Sequence, residues 1–258
     1  MTNNQIDTVS NQAVLALLVS LRLAPILSFA PPFSLLRLPG LIRALLTISV
    51  AYMIISGQPL AFSISDGSLL TLAGVAIHEL AIGLAMALPL HLLFGGIYFA
   101  GRAVDIQAGF GLALLIDPST RTQVPLIGTL LAYITGAVFF FSNGHGEVLR
   151  ILAASVKFAP PDSPLLNDAS YLAIVGAQFV TMSSLALGLV GGLLLAMLAC
   201  DVVVALLSRT VPQMNALMLG IQVKAIVMLT ILPLVVGFAA GPIARMIAIT
   251  LETMPALV

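Results

Sequence analysis

LLTLAGVAIHELAIGLAMALPLHLLFGGIYFA, residues 69–100, carries a single formal charge, Glu79. A membrane-crossing helix needs about 20 predominantly apolar residues, so this run alone is long enough to cross. The run is continuous. A membrane barrel would instead show alternating segments of about ten residues, so the run predicts a helix. The rest of the chain has the same character. Of 258 residues, 60% are hydrophobic and 8% are charged, with a net charge of zero. A soluble domain carries about 25% charge, and the polar surface here is too small to cover a water-soluble globule. Mean hydropathy is +1.16. The fold class predicted is an all-α integral membrane protein. Disorder and nucleic-acid binding both need charge that is missing. The lone Cys200 excludes a disulfide framework and a cysteine-based zinc site.

Five further apolar stretches flank this run, giving about six hydrophobic helices. They lie at about 13–30, 44–64, 122–141, within 169–200, and 216–241. Pro25, Pro89 and Pro233 fall inside apolar runs, where each removes a backbone donor and is expected to kink or break its helix. Gly95-Gly96, Gly188 and Gly191-Gly192 are small enough for close helix approach, although most single glycines need no such reason. The first residues, MTNNQIDTVSNQ, have no basic start and no following cleavage site, so no cleavable signal peptide is expected. The loops are short and predict no attached soluble domain. Six spans would place Arg37, Arg43, Arg102, Arg121 and Arg209 on one side and Arg150, Lys157 and Arg245 on the other. The positive-inside bias then puts both termini outside.

Charges within such segments are expensive and need partners or water. Glu79, Arg102, Asp105, Asp117, Asp201, Arg209 and Lys224 stand out. Arg102 and Asp105 are three apart, share a helix face and are placed to pair. Asp201 and Arg209 are eight apart, too far to touch along a helix, so each needs a partner elsewhere in this chain or in another subunit. Catalytic motifs are missing. His78-Glu79-Leu80-Ala81-Ile82 does not complete HExxH, and histidines at 78, 91 and 145 are scattered. Ser142-Asn143-Gly144-His145 reads as a turn at a helix end. No catalytic, cofactor or metal residues are assigned.

The stretch GRAVDIQAGFGLALLIDPSTRTQVP, 101–125, contains an apolar segment from Ile106 to Ile116 that is too short to cross. It is punctuated by Gly109 and Gly111 and ends in the turn signal Asp117-Pro118. Irregular backbone at membrane depth survives only where it is buried in protein or lines a cavity. A re-entrant or pore-facing loop is therefore expected. Phe110, Leu112, Leu114, Leu115 and Ile116 supply its apolar bulk.

With these residues in view, the chain resembles the FliR family of flagellar and type III secretion export-gate proteins. The resemblance is carried by Glu79 with Gly83, by Arg102, Gln107-Ala108-Gly109, Asp117-Pro118 and Pro125, and by FFFSNGH at 139–145. Ser155 and Pro160 follow in place. The strongest stretch is DVVVALLSRTVPQMNALMLGIQVK, 201–224, with Asp201, Arg209, Gln213, Asn215 and Lys224 in the family's order. Gln222 departs from the proline expected there.

The resemblance implies an export gate built with FliP-like and FliQ-like subunits, with an FlhB-like subunit at its cytoplasmic mouth. Unfolded export substrates would pass through it across the bacterial inner membrane. It implies a FliP-like part at 1–165 and a FliQ-like helical hairpin at 166–258, much of the core being raised toward the periplasm. The central loop, about 106–120, maps onto a plug: Gly109, Phe110, Gly111, Leu112, Leu114, Leu115, Ile116, Asp117 and Pro118. Glu79, Arg102, Asp105, Asp201, Arg209, Gln213, Asn215 and Lys224 become subunit-interface or buried polar positions. The Asn-Gly-His turn points to the flagellar branch, with an injectisome gate subunit as the alternative. A small secondary transporter is a further rival, which similarity between the two halves of the chain would favour. An intramembrane enzyme is another and lacks a motif.

Overall fold

The structure is a computed structural model and describes residues 3–57, 68–110, 125–161, 169–210 and 216–257. Among the described residues every regular element is helical. In chain order these are α1 (Asn3–Ala24), α2 (Gly40–Ser56), α3 (Leu69–Gln107), α4 (Leu126–Phe141), α5 (Gly144–Phe158), α6 (Ala169–Thr210) and α7 (Ala216–Thr253). The chain divides into two compact units. One gathers Met1–His91, Asn143–Gln178 and Ala248–Val258, and the other Leu92–Ser142 and Phe179–Ile247. Helices α3, α6 and α7 therefore each contribute a segment to both.

Four described stretches are long and apolar enough to cross a bilayer: Asn11–Phe29, Leu69–Gln107, Tyr171–Thr210 and Gly220–Leu257. Leu126–Phe141 and Gly144–Phe158, bent by 70°, make a fifth if taken together. The expected hydrophobic helices, about six, are present as α1, α2, α3, α4, α6 and α7, but fewer stretches than that are long enough to cross. One reason lies in α2, which has 17 residues and stops at Ser56. At 1.5 Å per residue it is about 25 Å long, short of the hydrocarbon core of about 30 Å. Gly57 caps it, and the sequence has Pro59 two residues on.

In the first unit α1 and α2 pack together through helical stripes. On α1 these include Leu15, Val19 and Leu23, continued by Ile26 in the turn that follows; on α2 they are Thr47, Ala51, Ile54 and Ile55. Pro25 ends the regular α-helix at Ala24 without ending the helical path. It opens a single π-turn, Pro25–Phe29, in which the N–H of Ala30 reaches the carbonyl of Pro25 at 3.0 Å. This wider turn absorbs the missing donor. Nor do Pro89 or Pro233 break their helices, because α3 and α7 run through them. Arg43 ties the α1–α2 connection by donating to the carbonyls of Ser28 (2.8 Å) and Leu36 (3.0 Å).

Helix α5 was not legible as a hydrophobic run because it is amphipathic. Gly144, Val148, Ile151, Leu152, Ser155 and Val156 form its buried stripe. Arg150 pairs with Glu147 at 3.3 Å on the opposite, exposed side, where Lys157 also lies. Asn143, at φ 59°, makes the left-handed turn that separates α4 from α5. Asn tolerates that conformation.

In the second unit α6 buries one stripe, Met182, Ala186, Val190, Leu193 and Met197, against its surroundings. Helices α3 and α4 touch backbone to backbone, so that a Cβ at Gly101 would collide with the backbone of Gly128. Gly95, Gly188, Gly191 and Gly192 have open space instead.

Candidate functional site: charged clusters at helix ends

Within an apolar unit a helix end is a problem in its own right, because its last carbonyls and first N–H groups have no intrahelical partner. This chain places its few buried charges at such ends.

In the first unit Arg22 of α1 meets Glu79 of α3. Its Nε donates to Oε2 at 2.8 Å and its Nη2 to Oε1 at 2.7 Å, and both side chains are 0% exposed. This planar fork-to-fork geometry is the strong form of the ion pair. The remaining strong donors serve the end of α5: Nη1 reaches the carbonyl of Ser155 at 2.9 Å and Nη2 that of Ala159 at 2.7 Å. A cation at a helix C-terminus is also favoured by the helix dipole. The approach depends on Gly83, one turn beyond Glu79, where a Cβ would collide with the Arg22 carbonyl. His78 is buried next to this pair. Its Nδ1 lies 3.9 Å from Glu79 Oε1, and neither ring nitrogen has a hydrogen-bond partner among the described residues.

In the second unit the same device recurs with different residues. Lys224 of α7 donates to the carbonyl of Gln107, the last residue of α3, at 2.9 Å. It also forms an ion pair with Asp201 of α6, and Gln107 Nε2 donates to Asp201 Oδ2 at 2.8 Å. This cluster is more open: the Lys224 side chain is 16% exposed and that of Asp201 44%. Two residues beyond Gln107 the chain leaves the helix through Gly109, at φ 85°, which favours glycine. Nearby, the buried Asp105 carboxylate accepts the N–H of Ile127 at 3.1 and 3.2 Å. It thereby caps the start of α4 from the last turns of α3.

The expected Arg102–Asp105 pair is therefore subordinate. Arg102, half-buried, adds a positive charge beside Asp105, but the short hydrogen bonds of Asp105 go to backbone. Arg209 is exposed on the last turn of α6. Gly109 is half-buried and Phe110 is 39% exposed. Gly111, Leu112, Leu114, Leu115, Ile116, Asp117, Pro118, Gln213 and Asn215 lie outside the described residues.

Two participants were missed in the sequence. Arg22 lies inside the first apolar run, about 13–30, and no role follows for it from that run alone. A cation there needs an acid, and Glu79 is the only acid in the run at 69–100. Gln107 was read as loop motif and not as a partner for charge.

The carboxylates in these clusters are matched to cations or N–H groups, which positions helices. Among the described residues no group of three His, Cys, Asp or Glu side chains could hold a metal ion.

Comparison with known proteins finds relatives along most of the chain. The chain is 26% identical over 243 residues to the flagellar biosynthetic protein FliR of Bacillus subtilis (strain 168), covering 92% of each chain. It is 24% identical over 223 residues to the flagellar biosynthetic protein FliR of Escherichia coli (strain K12), covering 84% of each. It is also 26% identical over 165 residues to the secretion system apparatus protein SsaT of Salmonella typhimurium, covering 64% of this chain and 63% of that one. The family model described as bacterial export proteins, family 1, matches residues 13–249, and the chain belongs to that family.

Proposed function

We propose that this chain is an export-gate subunit of the flagellar type III protein export apparatus. The reading rests above all on the match of residues 13–249 to the bacterial export proteins, together with FliR relatives along most of the chain. In this role it forms a channel with FliP-like and FliQ-like subunits, and an FlhB-like subunit sits at the cytoplasmic mouth. Unfolded polypeptides pass through, and the chain does no chemistry on them. Residues 1–165 act as the FliP-like part and 166–258 as the FliQ-like hairpin.

The long helices support a multi-subunit setting. Helices α6 and α7 have 42 and 38 residues. At 1.5 Å per residue each is about 60 Å long, roughly twice the hydrocarbon core. Yet only 17% of the most apolar stretch of each is buried within this chain, against 56% in α3. Apolar length beyond the bilayer needs cover, and partner helices supply it.

Sealing falls to the stretch around 106–120. An apolar, glycine-containing segment disfavours water in a constriction and can move aside. Deleting Gly109 through Ile116 is expected to leave the complex assembled but leaky to small solutes. An assembled and fully sealed complex would contradict the plug role.

The test of the whole reading is purification of the tagged chain in mild detergent from its native cells. Copurification of the FliP-like and FliQ-like subunits is expected, and Arg209→Ala is expected to lower their yield. Recovery of the intact chain without them would overturn the proposal. The likeness to SsaT supports a second reading, an injectisome gate subunit. Deleting the gene separates the two, since loss of flagella marks the first and loss of effector secretion with flagella intact marks the second.

A further inference from the structure

The Gln107–Asp201–Lys224 cluster does more than neutralise charge. Three helices meet there: the end of α3, and α6 and α7 of the C-terminal hairpin. Lys224 bonds a backbone carbonyl at the helix end, and Gln107 returns a side-chain bond to Asp201. Ala108 and Gly109 still donate to Val104 (2.8 Å) and Ile106 (3.1 Å), so the final turn is closed up to the left-handed Gly109. Across the other side of α3, Asp105 holds the first turn of α4 through Ile127.

We propose that Lys224 and Asp201 form a latch that holds the last turn of α3 to the α6–α7 hairpin, so that the hairpin's position sets where the chain departs from α3 at Gly109. The functional half of this inference rests on the export-gate reading. Its structural half does not.

The latch works through one particular bond, from the Lys224 ammonium to the Gln107 carbonyl. The ion pair with Asp201 keeps the ammonium aimed. A carboxylate at position 224 can pair with a cation at 201 but cannot donate to that carbonyl. Exchanging the two residues, Asp201→Lys with Lys224→Asp, therefore keeps charge balance and removes the latch bond. A cluster that serves only charge balance would be restored by the exchange.

The test uses the full chain in two measurements. The first is hydrogen exchange at the amides of Ala108 and Gly109 in the detergent-solubilised protein. Lys224→Met and the exchanged double variant are both expected to speed exchange there about tenfold, while Lys224→Arg, which keeps a donor, stays near wild type. Unchanged protection in the exchanged variant overturns the latch, whether or not the gate reading stands. The second is entry of small solutes into cells that assemble the complex without export substrate. The exchanged variant is expected to assemble at wild-type yield and to leak several-fold more. A wild-type seal with raised exchange at 108–109 would retain the bond but overturn its role in sealing. Failure to copurify any export component, with the exchange result as expected, would count against the gate reading alone.

Discussion

Two helix ends in this molecule are treated in the same way and with different tightness. At the end of α5, Arg22 binds two carbonyls and is held by Glu79 with no exposure. At the end of α3, Lys224 binds one carbonyl and is held by an Asp201 that is 44% exposed. A planar guanidinium can serve several acceptors in fixed directions, whereas an ammonium on a flexible stem is a compact point charge. The first arrangement has no access for water and no slack. The second can be opened at modest cost. The contrast suggests a fixed joint in one unit and an adjustable one in the other.

The largest way to break this contrast is at the fixed joint. Arg22→Ala or Glu79→Ala leaves an unpaired buried charge, with an expected loss of about 3–5 kcal/mol. Thermal unfolding of the solubilised chain, or its expression level, reads this. Replacing both residues together by apolar ones of similar size should recover only part of the loss, since the carbonyls of Ser155 and Ala159 still lose their donor.

Next in size is a test of helix contact. Gly101→Ala pushes a methyl into the backbone of Gly128, with an expected cost of about 1–3 kcal/mol. Gly188→Ala meets open space, so the isolated chain should be unaffected or up to about 1 kcal/mol more stable. Any defect of Gly188→Ala confined to the assembled complex would place a partner helix at that face.

At the adjustable joint the stability effect is smaller. Asp201→Asn weakens a half-exposed pair, and a loss of about 1 kcal/mol or less is expected. A loss as large as that of Glu79→Ala would erase the contrast. Smallest of all is Ser155→Ala. Arg22 uses the Ser155 backbone carbonyl at 2.9 Å, while the hydroxyl accepts only a long 3.4 Å bond from Nη1 and donates to the Leu152 carbonyl. A change of about 0.5 kcal/mol or less is expected in the same unfolding measurement.

The sequence made the apolar helices legible because long uncharged runs have few alternatives. The helical class, the long third helix and the two apolar helices that cover 169–200 and 216–241 all follow from that signal. Their ends did not. Helix α3 extends to Gln107 and α7 to Thr253, past the apolar runs at 69–100 and 216–241 and through Arg102, Asp105, Arg245 and Glu252. Charges bound to a neighbouring helix do not terminate their own. Helix α5 was hidden because its apolar residues occupy only one face. Of the polar positions, Glu79, Asp105, Asp201 and Lys224 stood out by their cost in lipid. Their partners required knowing which helices are neighbours: Arg22 is 57 residues from Glu79, and Gln107 is 94 from Asp201.

The most direct measurement compares Glu79→Gln with Lys224→Met in cells, counting assembled complexes and scoring small-solute entry per complex. Glu79→Gln should sharply lower the number of complexes, and those that form should seal. Lys224→Met should leave the number near wild type and raise the leak of each. If both variants lose complexes alike and neither leaks, the distinction between a fixed and an adjustable joint is wrong.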